Sequence, residues 1–291
     1  MNIECVVDSK SELGEGAVWD AQDQCLWWVD IMGELVHRFD PVTGEDKTWP
    51  VGEPVGCLAV RQAGGLILAT KTGFHAFDPA TGEKTAITDP EAAAPLNRFN
   101  DGGTDRQGRL WAGTMQMTGE RQQVGSFYRL DPDMNCQKML SDFWVTNGMA
   151  FSPDGKTMYA SDTGATVRTI WAFDYDTTTG EPSNKRVFFD TNGMNGRPDG
   201  GTVDADGCYW YAGVGGWEVV RITPEGKVDQ VIEVPVEKPT KPMFGGKDLD
   251  VLYVTSLSQG LSPDREQPQA GSLFAITGHG ALGVPEARFA G

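Results

Sequence analysis

Short apolar runs bounded by Gly, Pro, Asp and Asn recur along the whole chain, and one four-run unit is written six times. The units open at Glu15, Val55, Asn100, Asn147, Asp199 and Lys241, spaced 40, 45, 47, 52 and 42 residues apart. Each opening residue starts an apolar run. A turn follows, then a second run rich in aromatic and β-branched residues: 25–30 (CLWWVD), 65–70 (GLILAT), 109–114 (RLWAGT), 157–162 (TMYASD), 208–213 (CYWYAG) and 251–256 (VLYVTS). Each second run ends 14 or 15 residues after its opening residue, which supports the alignment. Third runs fall at 35–40, 74–78, 126–131, 169–174, 219–223 and 272–277. More polar fourth runs fall at 45–49, 83–88, 137–142, 185–190 and 227–233. Nothing carries a helical period, and these compositions suit strands.

Four strand-like runs in every 40–50 residues predict propeller blades. The sixth unit lacks a convincing fourth run, and the run 3–8 at the N-terminus is left over to supply it. The expectation is an all-β fold: a six-bladed β-propeller with four antiparallel strands per blade, the N-terminal strand closing the last blade, residues 1–291 forming one domain. Ring closure leaves few exposed sheet edges. Trp27, Trp28, Trp111, Trp210 and Tyr211 are expected between blades. The turns at Gln107-Gly108, Asp154-Gly155 and Asp206-Gly207 belong to the face opposite the site.

In such a ring the first strand of each blade lines the channel, so the six opening residues meet at one mouth. Converging carboxylates and amides are costly when unpaired. A divalent cation offers a partner, and oxygen donors suit Ca²⁺ or Mg²⁺, with Mn²⁺ and Zn²⁺ also open. Three or four protein ligands leave a coordination position for water or substrate. Loops 115–124, with Glu120 and Arg121, and 257–270 rim the same mouth. Arg98 and Asp101 flank Asn100, Asp162 ends a second run, and Arg197 leads into Asp199. Lys241 is either an inner-ring counterion or a group that steadies an oxyanion. For single positions plainer readings stand beside these: Asn147-Gly148 and Asp199-Gly200 are turn dipeptides, and Glu120 and Arg121 are solvated loop charges.

A net charge of −17 argues against nucleic acid and anionic membrane surfaces as partners. Arg98, Arg121, Arg168 and Arg197 form one potentially cationic patch against that background, which leaves room for a substrate carrying an acidic group. Five scattered cysteines and an N-terminus without a basic or apolar run fit reduced thiols and a cytoplasmic protein, monomeric or weakly oligomeric. No GxGxxG, P-loop or GxSxG motif is present. His37, His75 and His279 fall on or after third runs, away from the channel.

Leu13-Gly14-Glu15-Gly16, Asn97-Arg98-Phe99-Asn100-Asp101-Gly102, Thr146-Asn147-Gly148, Arg197-Pro198-Asp199-Gly200 and Lys241-Pro242-Met243-Phe244-Gly245-Gly246 together resemble the SMP-30/gluconolactonase/LRE family. The resemblance implies a six-bladed propeller with one divalent metal held by Glu15, Asn147 and Asp199. It implies Asn100 as a substrate or water-mediated metal contact, and Arg98, Asp101 and Glu120 as contacts to sugar hydroxyls. The expected activity is hydrolysis of a sugar lactone to the aldonic acid. Asp199 is the expected general base. A cation lowers the pKa of a carboxylate it touches, so Asp199 alternatively mainly holds the ion. Two other functions remain open: a non-catalytic Ca²⁺-binding regulator of the regucalcin type, and a metal-dependent hydrolase of other activated esters.

Overall fold

The computed structural model describes residues 1–291 and contains six four-stranded antiparallel sheets arranged as a six-bladed β-propeller. The inner strands are Gly14–Asp20, Val55–Val60, Asn97–Thr104, Thr146–Phe151, Arg197–Val203 and Pro239–Gly245. Strand order within each blade follows the chain in the first five. In the sixth, the N-terminal strand Asn2–Val7 pairs with Leu273–Thr277 as the outermost strand. Apart from one 3₁₀ turn at Thr191–Gly193, the chain has no helix, and none long and apolar enough to cross a membrane.

The blades are held by six apolar clusters, one at each interface between neighbours. The period-2 geometry of a strand explains how one strand serves two of them. In Cys25–Asp30, the side chains of Cys25, Trp27 and Val29 pack toward the second blade. Leu26 and Trp28 pack toward the sixth. Trp111, Trp210 and Tyr211 lie in three further interfaces. Burying each such side chain contributes about 1.5–3 kcal/mol or more, so the largely apolar, buried second strands hold neighbouring blades together.

The far end of the channel is closed by the C-terminal tail, 278–291, which the repeat pattern had left unassigned. It runs from the sixth blade to contacts with the fifth, third, second and first. Gly283 N–H donates to Leu249 O, Ala205 N–H to Leu282 O, and Ala290 N–H to Gly108 O, at 2.8–3.0 Å. Phe289 exchanges backbone bonds with Val60 and Gln62, and its ring is fully buried. Arg288 binds Asp20, and Arg106 reaches Pro285 O. The far-face turns are therefore the anchor points of a strap. All five cysteines are unpaired.

Candidate active site at the channel mouth

The side chains at the mouth are aimed by a repeated irregularity. In every blade the register of the inner strand against the second slips at or beside the opening residue. Such bulges break the ladder locally and redirect a side chain. Two of them use glycine in the left-handed region, Gly16 at φ +60° and Gly148 at φ +67°. A Cβ on Gly148 would lie 2.4 Å from the Tyr209 hydroxyl. The Glu-Gly and Asn-Gly pairs thus act as bulges within strands, where Asn147-Gly148 alone reads as a turn.

The bulges bring Glu15, Asn100, Asn147 and Asp199 to one cavity of about 140 Å³. Asn147 is locked on both sides. Its Nδ2 donates to Thr163 Oγ1 at 2.6 Å, and Thr163 in turn donates to Pro198 O at 2.6 Å. Asn100 Nδ2 donates to Asn147 Oδ1 at 3.1 Å and to Thr146 O at 2.8 Å. Asn100 Oδ1 accepts from Arg98 Nη1 at 2.6 Å. These bonds fix the Asn147 carbonyl oxygen in the cavity with one lone pair free. Thr163 lay outside the repeat position, and only the fold brings it to Asn147.

The two carboxylates are poorly satisfied. Glu15 accepts one bond, from Gly16 N–H at 2.8 Å. The Asp199 carboxylate accepts none, and only its backbone oxygen is bonded, to Ser161. Burial, then the Asp101 charge, pushes the Glu15 carboxyl up to about 8. Burial and then Glu15 raise Asp199 well above the usual carboxylate range. Two buried acids sharing one cavity with a single donor between them fit a cation. No three His, Cys, Asp or Glu side chains cluster anywhere as metal ligands; beside its two acids the cavity offers amide oxygen, that of Asn147. A hard divalent ion matches that donor set.

Several expected contacts lie elsewhere. Asp101, expected to contact sugar hydroxyls, and Lys241 do not line this cavity; Lys241 is a counterion, one of the two readings open for it. They are fully or almost fully buried beneath it, paired across the channel between the third and sixth blades. Lys241 Nζ also donates to Gly102 O at 2.9 Å, and Asp101 Oδ2 accepts from Met149 N–H at 3.1 Å. Burial works to lower the lysine pKa, but Asp101 and Glu15 outweigh it and hold the ammonium charged. Glu120 and Arg121 are both exposed, but only Arg121 lines the cavity. Gln116 Nε2 donates to Thr118 O and its Oε1 accepts from Gln122 N–H, which holds the backbone on either side of the pair. Asp162 accepts backbone N–H groups of Trp144, Val145 and Gly164. Arg168 is taken up by the carbonyls of Thr191, Met194 and Gly196. No residue of 257–270 lines the cavity, and that loop is tied to Glu237 instead.

A six-bladed propeller with a ring of acid and amide side chains at one mouth defines a class of small-molecule sites. Within it, residues 13–258 match the family model described as the SMP-30/gluconolactonase/LRE-like region. The chain belongs to that family. It is 38% identical to regucalcin of Xenopus laevis, covering all of this chain and 99% of that protein. It is 37% identical to 6-deoxy-6-sulfogluconolactonase of Pseudomonas putida, over 99% of both chains. Among solved structures it superposes on a calcium-binding protein, regucalcin, from Agrobacterium tumefaciens with a TM-score of 0.92, at 31% identity over 98% of this chain and 96% of that one.

Proposed function

We propose that the protein hydrolyses a sugar lactone to its aldonic acid with the help of one divalent cation held by Glu15, Asn147 and Asp199. The lactonase class rests on the family and on the full-length likeness to a sulfogluconolactonase. The observation that carries the reading is the pair of donor-poor buried carboxylates beside a fixed amide oxygen, on the wall of a small polar cavity. The cation would supply polarisation of the lactone carbonyl and stabilisation of the charge that develops on its oxygen.

The chain's own groups account for the rest. Asp199 Oδ atoms carry no hydrogen bond, so one is free to take the proton of the attacking water and return it to the departing ring oxygen. Arg98 and Asn100 form one hydrogen-bonded unit on the cavity wall, suited to orienting sugar hydroxyls. Asn100 also fixes Asn147, a role additional to substrate contact. The Lys241–Asp101 pair closes the floor and keeps water from reaching the site from below. An open cavity lined by polar groups favours a substrate over a purely calcium-storing role, and its polar wall favours a sugar over an aryl ester.

Proton release from a panel of pentono- and hexonolactones and an aryl ester, with and without chelator, tests the proposal. Chelator-sensitive lactone opening restored by Ca²⁺, Mg²⁺, Mn²⁺ or Zn²⁺ is expected. Lactone opening at full rate in chelator would remove the cation from the mechanism, and none under any condition would remove the activity.

A further inference from the structure

The cavity carries more positive charge than an acidic protein needs there. Six of the chain's arginines sit in ion pairs with Asp or Glu. Arg61, Arg106 and Arg168 are occupied by backbone carbonyls, and Arg38 lies over the Trp27 ring. Arg98, Arg121 and Arg197 have no carboxylate partner, and all three line the same cavity. Only two acidic side chains share that lining, Glu15 and Asp199. A divalent cation held by those two would leave three guanidinium groups uncompensated. Arg98 is 7% exposed and its Nε has no partner. Its Nη1 donates to Phe99 O and Asn100 Oδ1, which anchor it without neutralising it. Burial and then the Arg121 charge press its pKa down to about 10, as expected of cations crowded together.

Building on the lactonase reading, we infer that the substrate carries an anionic group remote from the lactone carbonyl, and that Arg121 and Arg197, with Arg98 behind them, bind it. Guanidinium forks match carboxylate, phosphate and sulfonate oxygens, and such charge-assisted bonds are strong in a partly desolvated pocket. In a chain of net charge −17 the same arginines also counter the repulsion an anion meets on approach. The shared chemistry is an oxyanion on a sugar acid, whichever central atom bears it.

Two measurements on the full-length protein test this. The first compares kcat/KM for an unmodified hexonolactone with its 6-phospho, 6-sulfo and 6-carboxyl counterparts. A preference of roughly tenfold or more for at least one anionic lactone is expected, as befits one charge-assisted contact, falling as salt rises. The second measures calorimetric binding of gluconate and 6-phosphogluconate to chelator-treated protein. Tighter binding of the phosphorylated acid is expected, with the ratio reduced in Arg121→Ala and Arg197→Ala and partly kept in Arg121→Lys. Circular dichroism verifies that each variant is folded. Equal binding of the two acids, together with equal or better turnover of the unmodified lactone, overturns the anion subsite and leaves the lactonase reading standing. Absence of turnover on every lactone defeats the lactonase reading, while the binding ratio still decides whether the arginines recognise an anion.

Discussion

The two ends of the channel are built from the same six strands and are opposites in electrostatics. At the mouth, Glu15, Asp199, Arg121 and Arg197 are close enough to feel one another's charge or share one cavity, yet none is matched into an ion pair. At the closed end, charges are matched, Lys241 with Asp101 and Arg288 with Asp20, and Arg61 is anchored on the Gly291 carbonyl. A protein leaves buried charge unmatched only where another component completes it or where the site is strained for use. The contrast separates the half of the channel proposed to bind substrate from the half that holds the ring together.

Deleting the tail should have the largest effect, because it strips the closed end. Phe289 alone is a buried aromatic whose loss costs about 3–5 kcal/mol, a large share of a total of about 5–15 kcal/mol. A chain ending at Gly278 is expected to yield little folded protein, or a much lower thermal midpoint by circular dichroism. An unchanged midpoint would mean the tail is a covering and not a strap.

Asp199→Asn attacks the mouth instead. It keeps an oxygen ligand and removes the proton acceptor, so kcat should fall by roughly 10²–10⁴-fold with the thermal midpoint nearly unchanged. Near wild-type turnover would place the base elsewhere. Measuring cation affinity alongside separates loss of a ligand from loss of a base.

Lys241→Met leaves Asp101 buried and alone. Breaking one side of a buried pair costs about 3–5 kcal/mol, read in a denaturant titration. Replacing Asp101 by Leu in the same chain should restore part of it. If the single variant is as stable as the parent, the pair is not holding the third and sixth blades together.

The smallest effect is a pH dependence at the root of the tail. His279 stacks edge-on against Trp210 and Phe244, its Nδ1 accepts from Ala281 N–H, and burial lowers its pKa below the ordinary 6.5. Below 6.5 the unfolded chain takes a proton that the folded one refuses, so stability is full above that pH and declines as pH falls through the folded value. His75, also lowered by burial, adds to the same slope. His279→Asn should flatten part of the decline in midpoint between pH 7 and pH 5. An identical slope in the variant would assign it to other groups.

Much of this was legible in the chain because a repeat samples one structural position six times. Strand 157–162 and strand 251–256 were placed to the residue, and the leftover N-terminal run found its blade with a shift of one residue. Glu15, Asn100, Asn147 and Asp199 could be put in one ring before any coordinate was known. What was not legible has two causes. Loop side chains do not obey a period: Glu120 and Arg121 are adjacent, yet only Arg121 lines the cavity, in a loop that Gln116 holds at Thr118 and Gln122. Depth along the channel is also invisible in the alignment, so Asp101 and Lys241 were placed at the mouth, although they meet beneath it.

The sequence by itself determined the blades, their order and the residue types offered to the channel, because strand periodicity and turn chemistry are local. The tertiary structure decided which of those residues satisfy one another. Pairing depends on distances across a closed ring, between residues as far apart in the chain as Asp101 and Lys241, and closure gives that ring one end with its charges paired and one end with charges left without partners.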